Sequence, residues 1–215
     1  MANIIGRTNS IFNQFVAEIR DASIQTDSMR FRRNLERMGE IMAYELSKDL
    51  NYKISSVTTS LGEAEVGIID EQIVIGTILR AGLPLHQGVL NYFDRAQNAF
   101  ISAYRKHHKD NSFEIAIEYL SSPDLDGKIL ILTDPMLATG SSMVLAFKGL
   151  LSKGTPKHIH IVAAIASKEG LQYVEKNMPE NTTIWVGAVD DELTVQSYIV
   201  PGLGDAGDLA YGVKS

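Results

Sequence analysis

A chain of 215 residues with 45% apolar side chains is long enough for one sizeable core. Lys and Arg number 20 against 26 Asp and Glu, and the resulting formal charge of −6 argues against a protein that lives on nucleic-acid phosphates. The lack of cysteine excludes disulfide scaffolds, thiolate zinc sites and thiol nucleophiles. Neither a signal-peptide pattern nor an apolar run of membrane-spanning length is visible, so a cytoplasmic protein without membrane contact is expected.

The predicted elements begin with helix. From Ser28 to Leu50 the larger apolar residues fall at Phe31, Leu35, Met38, Met42 and Leu46, steps of three and four that build one stripe. Arg32, Arg33, Glu36, Arg37, Glu40 and Glu45 cover the other face. An N-terminal helical segment, residues 1–52, is therefore expected to pack on a sheet or a partner subunit, within a single domain spanning 1–215. Short Ile- and Val-rich runs follow, predicted as buried strands at Ile73–Leu79, Ala99–Ala103, Ile129–Leu132, Ile159–Ile165 and Thr183–Val186. Helical patterns at Pro84–Phe93, Ser141–Leu151 and Lys168–Asn177 alternate with them. That alternation implies an α/β fold, a parallel sheet covered on both faces, with ligands at the carboxyl ends of the strands.

Two segments break the pattern. The charged stretch Tyr104–Phe113 separates Ala99–Ala103 from Glu114–Leu120 and is expected to be an extended hairpin or a flexible arm, about residues 104–118. Tyr198–Gly212 carries Gly202, Gly204, Gly207 and Gly212 beside Pro201, which predicts a long loop of unusual backbone geometry.

The strand Ile129–Leu132 runs into Thr133-Asp134-Pro135-Met136-Leu137-Ala138-Thr139-Gly140-Ser141-Ser142, where a helix begins. This can form an anion cup: Gly140 permits a tight turn, Thr139, Ser141 and Ser142 bring hydroxyls, and the first helical turn brings free amides. The same residues could simply cap the helix. The Gly-Lys-Ser/Thr ending of a Walker loop is absent. Asp134 stands where a carboxylate can accept hydrogen bonds from sugar hydroxyls. Ile73–Leu79 ends in Arg80-Ala81-Gly82, a guanidinium and bare backbone placed to meet an anion, or a surface arginine paired with an acid. Arg105 and Lys106 open the charged stretch. His107 and His108 read as loop residues, His158 and His160 alternate on a strand without zinc-site spacing, and Trp185 reads as core. No G-x-S-x-G follows a strand, so nucleophilic hydrolysis has no support.

Together, Ile78-Leu79-Arg80-Ala81-Gly82-Leu83, Tyr104-Arg105, Asp134-Pro135-Met136-Leu137-Ala138-Thr139-Gly140 and Tyr198-Ile199-Val200-Pro201-Gly202-Leu203-Gly204-Asp205-Ala206-Gly207-Asp208 resemble the uracil phosphoribosyltransferases, with a weaker likeness at Tyr44-Glu45. The resemblance implies the type I phosphoribosyltransferase fold, with a hood or arm and a Gly-rich C-terminal base loop. It implies transfer of ribose 5-phosphate from 5-phosphoribosyl pyrophosphate (PRPP) to N1 of uracil, giving uridine monophosphate (UMP) and pyrophosphate in pyrimidine salvage. By the same likeness, Asp134 through Ser142 hold the 5-phosphate and ribose hydroxyls, and Arg80 and Arg105 hold the pyrophosphate. Ile199, Gly204, Asp205 and Ala206 hold uracil, with Asp205 also touching PRPP, so that Asp205, Arg105 and Asp134 are the candidate catalytic residues. Mg²⁺ is expected mainly on substrate phosphates, with no dedicated protein cage. A homodimer or homotetramer is implied, and activation by GTP is known in some members.

The chemistry suits these residues. Two arginines and a cation stabilise the departing pyrophosphate. A glycine-rich segment exposes main-chain donors and acceptors that match the acceptor–donor–acceptor edge of uracil, and the amino group of cytosine would leave buried groups unpaired at about 1–3 kcal/mol. The chain departs from the family pattern in two places, and from the wider phosphoribosyltransferases in a third. Ser141 replaces a common second glycine, Glu192-Leu193-Thr194-Val195-Gln196-Ser197 replaces a Leu-Asn-Glu-His-Gly type of sequence, and Pro135 stands where many other phosphoribosyltransferases carry a second acid, as is typical of the uracil branch. Two other readings are an RNA-binding regulator on the same fold, which the acidic charge disfavours, and an inactive homologue, against which all four of Arg80, Arg105, Asp134 and Asp205 are present.

Overall fold

The computed structural model describes residues 2–107 and 113–214, the side chains of 103–116 excepted. In chain order the elements are β1 (Asn3–Ile4), α1 (Ile11–Arg20), α2 (Ser28–Ser47), β2 (Tyr52–Thr58), β3 (Glu63–Ile69), β4 (Ile73–Leu79), α3 (Leu83–Tyr92), β5 (Gln97–His107), β6 (Phe113–Ser121), β7 (Ile129–Thr133) and β8 (Met136–Leu137). There follow α4 (Ser141–Leu150), β9 (His158–Ser167), α5 (Lys168–Asn177), β10 (Thr182–Asp190), β11 (Glu192–Leu193), β12 (Ile199–Val200) and α6 (Ala206–Tyr211).

Among the described residues the central sheet runs β1-β10-β9-β7-β4-β5-β6, and β8 also pairs with β9. Every pairing is parallel except that of β5 with β6. The period of two along each strand divides the core. Ile129 and Ile131 of β7, Val162 and Ala164 of β9 and Trp185 of β10 join Phe31, Leu35, Met38 and Met42 of α2 on one face, together with α1, α3 and α6. Leu130 and Leu132, Ile159 and Ile161, and Ile184 and Val186 face the other way, onto Met143, Phe147 and Leu150 of α4 and Val174 of α5. Both faces of β4, β7 and β9 are buried, which is why these strands read as unbroken apolar runs.

The direction of winding reverses at the middle of the sheet. From β4 the chain crosses through α3 to β5 on one side, whereas β7, α4, β9, α5 and β10 progress to the other. Adjacent β4 and β7 are thus the switch point, and their carboxyl ends open a crevice that no crossover covers.

Helix ends follow local chemistry. Asp27 accepts from the Arg30 N–H to cap α2, Ser10 and Asn13 form a capping box on α1, and Ser167 caps α5 through the Gly170 N–H. The structure corrects the expectation of a loop through Tyr198–Gly212. Ile199–Val200 pair antiparallel with Glu192–Leu193, and Ala206–Tyr211 form a helix capped by Asp205, which accepts from the Asp208 N–H. The N-terminal segment is also not wholly helical, since Asn3–Ile4 add a parallel strand beside Trp185–Val186. The exposed hairpin of β2 and β3 was not anticipated: Ala64, Val66 and Ile68 do alternate with Glu63, Glu65 and Gly67, but the run is short, YKISSVT breaks the alternation at Ser56, and neither strand is buried. The charged stretch is an antiparallel extension of β5 and β6, and 108–112, with His108, lie outside the described residues.

Leu35 is fully buried between α2 and the sheet. Leu35→Ala is expected to cost about 2–5 kcal/mol, read as a fall of roughly 2–4 °C in melting temperature per kcal/mol. A loss below about 0.5 kcal/mol would contradict this packing.

Candidate active site

A cavity of about 520 Å³ opens at the switch point, lined among others by Ala81 after β4, Asp134, Pro135 and Met136 after β7, Ala138, and Ser142 at the start of α4. Gln196, Ser197 and Tyr198 of the hairpin between β11 and β12 line it too, as do Gly204, Asp205, Ala206 and Gly207 around the start of α6. Segments separated by more than a hundred residues therefore share one crevice.

The cup after β7 is built as its composition requires. Gly140 is the N-cap of α4 at φ +75, and a Cβ there would stand 2.7 Å from both the Gly170 carbonyl and Val174 Cγ2. Backbone conformation and contact with α5 thus both demand glycine. Thr139 Oγ1 accepts from the Ser141 N–H at 3.3 Å and donates to Ser141 Oγ at 3.1 Å. Ser141 is held by this pair and does not line the cavity, whereas Ser142 does. The remaining amides of the first turn of α4 lack intrahelical partners, as in any helix, and the positive end of its dipole favours an anion there.

Asp134 stands at the end of β7. Burial pushes its carboxyl up to about 7, against a smaller downward effect of a hydrogen bond from the Met136 amide. Arg80 sits at the neighbouring strand end, its preceding peptide bond with Leu79 cis. Its Nη2 donates to Asp208 Oδ1 at 3.0 Å and to the Gly212 carbonyl at 2.5 Å, while Nε is buried without a partner. This arginine consequently fastens the C-terminal segment to the end of β4. Asp205 faces the cavity and caps α6 at the same time.

Of the sequence candidates, Arg80, Leu137, Thr139, Gly140, Ser141 and Ile199 do not line the cavity. Leu137 and Ile199 bury their side chains in the two cores. Thr139 and Gly140 form the turn behind the wall, and Arg105 lies on β5 with its side chain outside the described residues. Ala81, Tyr198, Gly207 and Lys214 line the cavity without having been expected to, and so do Gln196 and Ser197, which the sequence marked only as part of a departure from the family pattern. Ala81, Tyr198 and Gly207 belong to the conspicuous strings, whereas the residue types of Gln196, Ser197 and Lys214 point to no role of their own. His160 is buried, accepts from Trp185 Nε1 at 3.1 Å and is pushed down to about 3 by burial, so it is a core histidine. Among the described residues no cluster of three metal-ligating side chains occurs, and no helix is long and apolar enough to cross a membrane.

The family model described as uracil phosphoribosyltransferase matches residues 8–213. The chain belongs to the uracil phosphoribosyltransferase family. A uracil phosphoribosyltransferase of Porphyromonas gingivalis is 58% identical over 210 residues, covering 98% of this chain and 97% of that one. Among solved structures, the AQ2163 protein from Aquifex aeolicus superposes with a TM-score of 0.86 at 33% identity, over 98% of this chain and 99% of its own. Mycobacterium tuberculosis orotate phosphoribosyltransferase, in a complex with PRPP, matches at TM-score 0.50 and 12% identity over 88% of this chain and 96% of its own, a likeness of fold. The sheet and its covering helices are those of the type I phosphoribosyltransferases.

Two outcomes are expected from the site geometry. A carboxyl raised from 3.8 to about 7 holds its proton more tightly in the folded state, so its contribution to stability declines as pH climbs between those values. Asp134→Asn should therefore melt about 2–4 °C above the parent at pH 8, with the gap closing near pH 4; a gap constant across that range would show that Asp134 is not the titrating group. Gly140→Ala should cost at least about 1 kcal/mol from the positive φ alone, and a melting temperature equal to the parent's would contradict the turn.

Proposed function

We propose that the protein transfers the 5-phosphoribosyl group of PRPP to N1 of uracil, releasing UMP and pyrophosphate. The single observation that carries this reading is the convergence of the Asp134–Ser142 cup, the end of β4 and the Gly204–Ala206 segment on one cavity, in a chain of this family. The family assignment favours an enzyme over an RNA-binding regulator or an inactive homologue.

In this reading the amides of α4 and the hydroxyl of Ser142 receive the 5-phosphate, with Thr139 holding the turn. Asp134 and Asp205 accept hydrogen bonds from ribose hydroxyls. Arg80 and Arg105 are assigned to the pyrophosphate, whose charge grows as the C1–O bond breaks, N1 bonds to C1 and the N1 proton passes to solvent. Main-chain groups at Ile199 and Gly204–Ala206 meet the edge of uracil. Asp205 already accepts from Asp208, so its role here is orientation. Held together, the reactants lose little further freedom on the way to the transition state.

Mg²⁺ fits the donor set, since Asp134 and Asp205 are hard oxygen donors at the cavity and substrate phosphates would supply the other ligands. Such an ion would neutralise pyrophosphate charge. The family likeness further implies a homodimer or homotetramer in the cytoplasm, with activation by GTP as in some members.

Uracil, cytosine, orotate, hypoxanthine and adenine offered separately with PRPP and Mg²⁺ should give product from uracil alone; consumption of another base in its place would overturn the reading. Arg105→Ala should lower kcat/KM at least about 100-fold, the scale of losing one transition-state donor, with an unaltered melting temperature. Parental kinetics at limiting and saturating PRPP would remove Arg105 from the site.

A further inference from the structure

The base-reading segment is not held by its own backbone alone. Asp190 ends β10 and is 8% exposed. Arg20, the last residue of α1, grips it with both arms of its fork, Nη1 to Oδ2 at 2.8 Å and Nη2 to Oδ1 at 2.9 Å. The same two groups also take hold of Gly202. Its N–H donates to Asp190 Oδ2 at 3.0 Å, and its carbonyl accepts from Arg20 Nη1 at 3.1 Å. Both main-chain groups of one residue are thus satisfied by a single ion pair. Gly202 stands at φ +59, and a Cβ there would run into the Ile199 carbonyl. The next residue is held as well: the Gln25 amide, with its nitrogen turned to the carbonyls, donates to Leu203 O at 2.7 Å and to Ile19 O at 3.1 Å. Immediately beyond come Gly204, Asp205 and Ala206 at the cavity wall.

None of Arg20, Gln25 or Asp190 lines that cavity. We propose that Arg20 and Asp190 are positioning residues that fix the main chain of Gly202–Ala206 in the orientation that reads the pyrimidine edge, with Gln25 as a second tether. This rests on the uracil reading above. A main-chain recognition surface has no side chain to readjust, so a turn about Gly202 misdirects every donor and acceptor after it. The cup that would hold the phosphate hangs from β7 and α4, which contact none of these residues through a hydrogen bond among the described residues. Loss of the clamp is accordingly expected to separate the two substrates kinetically.

The test uses the full chain and the variants R20K, D190N and Q25A, of which R20K keeps the charge but not the fork. The expected result for R20K and D190N is a uracil KM raised about 10–100-fold, equivalent to one or two tenfold steps in affinity, with PRPP KM within about twofold of the parent's. Q25A should show a smaller rise in the same direction. Hydrogen exchange at the Gly202 and Gly204–Ala206 amides should quicken while exchange at Ser142 and Met143 stays unchanged. Should D190N fail to fold, R20K and Q25A carry the same comparison. Parental uracil KM in folded R20K, or an equal loss in kcat with both KM values unmoved, overturns the clamp and leaves a merely structural ion pair. A parent silent towards uracil, with the Gly202 exchange effect intact, would instead overturn the functional reading.

Discussion

The site depends on one topological constraint. A parallel sheet that winds outward from its middle strands must leave the carboxyl ends of β4 and β7 uncovered, because α3 departs on one side and α4 on the other. Thr133 Oγ1 donates to the Gly76 carbonyl at 3.1 Å, so the two strands are joined by a side chain as well as by their ladder up to the rim of the crevice. Everything chemical is hung from that rim: Asp134 and the cup on one strand, Arg80 on its neighbour.

The second requirement is to bring the C-terminal segment back to the rim after β10 has carried the chain far along the sheet. Three charged contacts accomplish this. Arg80 binds Asp208 and the Gly212 carbonyl, Arg20 and Asp190 enclose Gly202, and Arg32 donates to the Ala210 carbonyl at 2.6 Å. Partly buried ion pairs of this sort add little net stability against apolar replacements. Their value here is geometric, since they join main-chain atoms of a glycine-rich segment that has few side chains of its own to pack. The N-terminal helices, which contribute no residue of their own to the wall, thereby hold one side of the cavity in place.

Much of this was legible in the sequence. The strands buried on both faces, the stripe along α2 and the start of α4 were readable because a parallel sheet imposes long apolar runs and Gly140 sits at a strand-to-helix turn. Elements whose shape depends on partners far along the chain were not. The hairpin of β2 and β3 offers only a short alternation, at Ala64, Val66 and Ile68, in strands that stay exposed, and α6 was hidden because Gly207 and the glycines flanking the helix suggest a loop while its cap and its contacts with Arg32 and Arg80 stabilise a helix. Of the site, the residues in conspicuous strings were accessible by pattern, whereas Gln196, Ser197 and Lys214 reach the cavity only through the folded path of the chain. No spacing rule could have linked Arg20 with Asp190, which are 170 residues apart.

The central claim is that a single cavity receives both ends of one nucleotide. It is tested most directly by following the backbone amide resonances of the labelled protein during titration with UMP. The expected result is that the amides of Ser142 and Met143 and those of Gly204–Ala206 shift together, with one common saturation curve. Two curves with different midpoints, or shifts at only one of the two segments, would contradict a shared pocket.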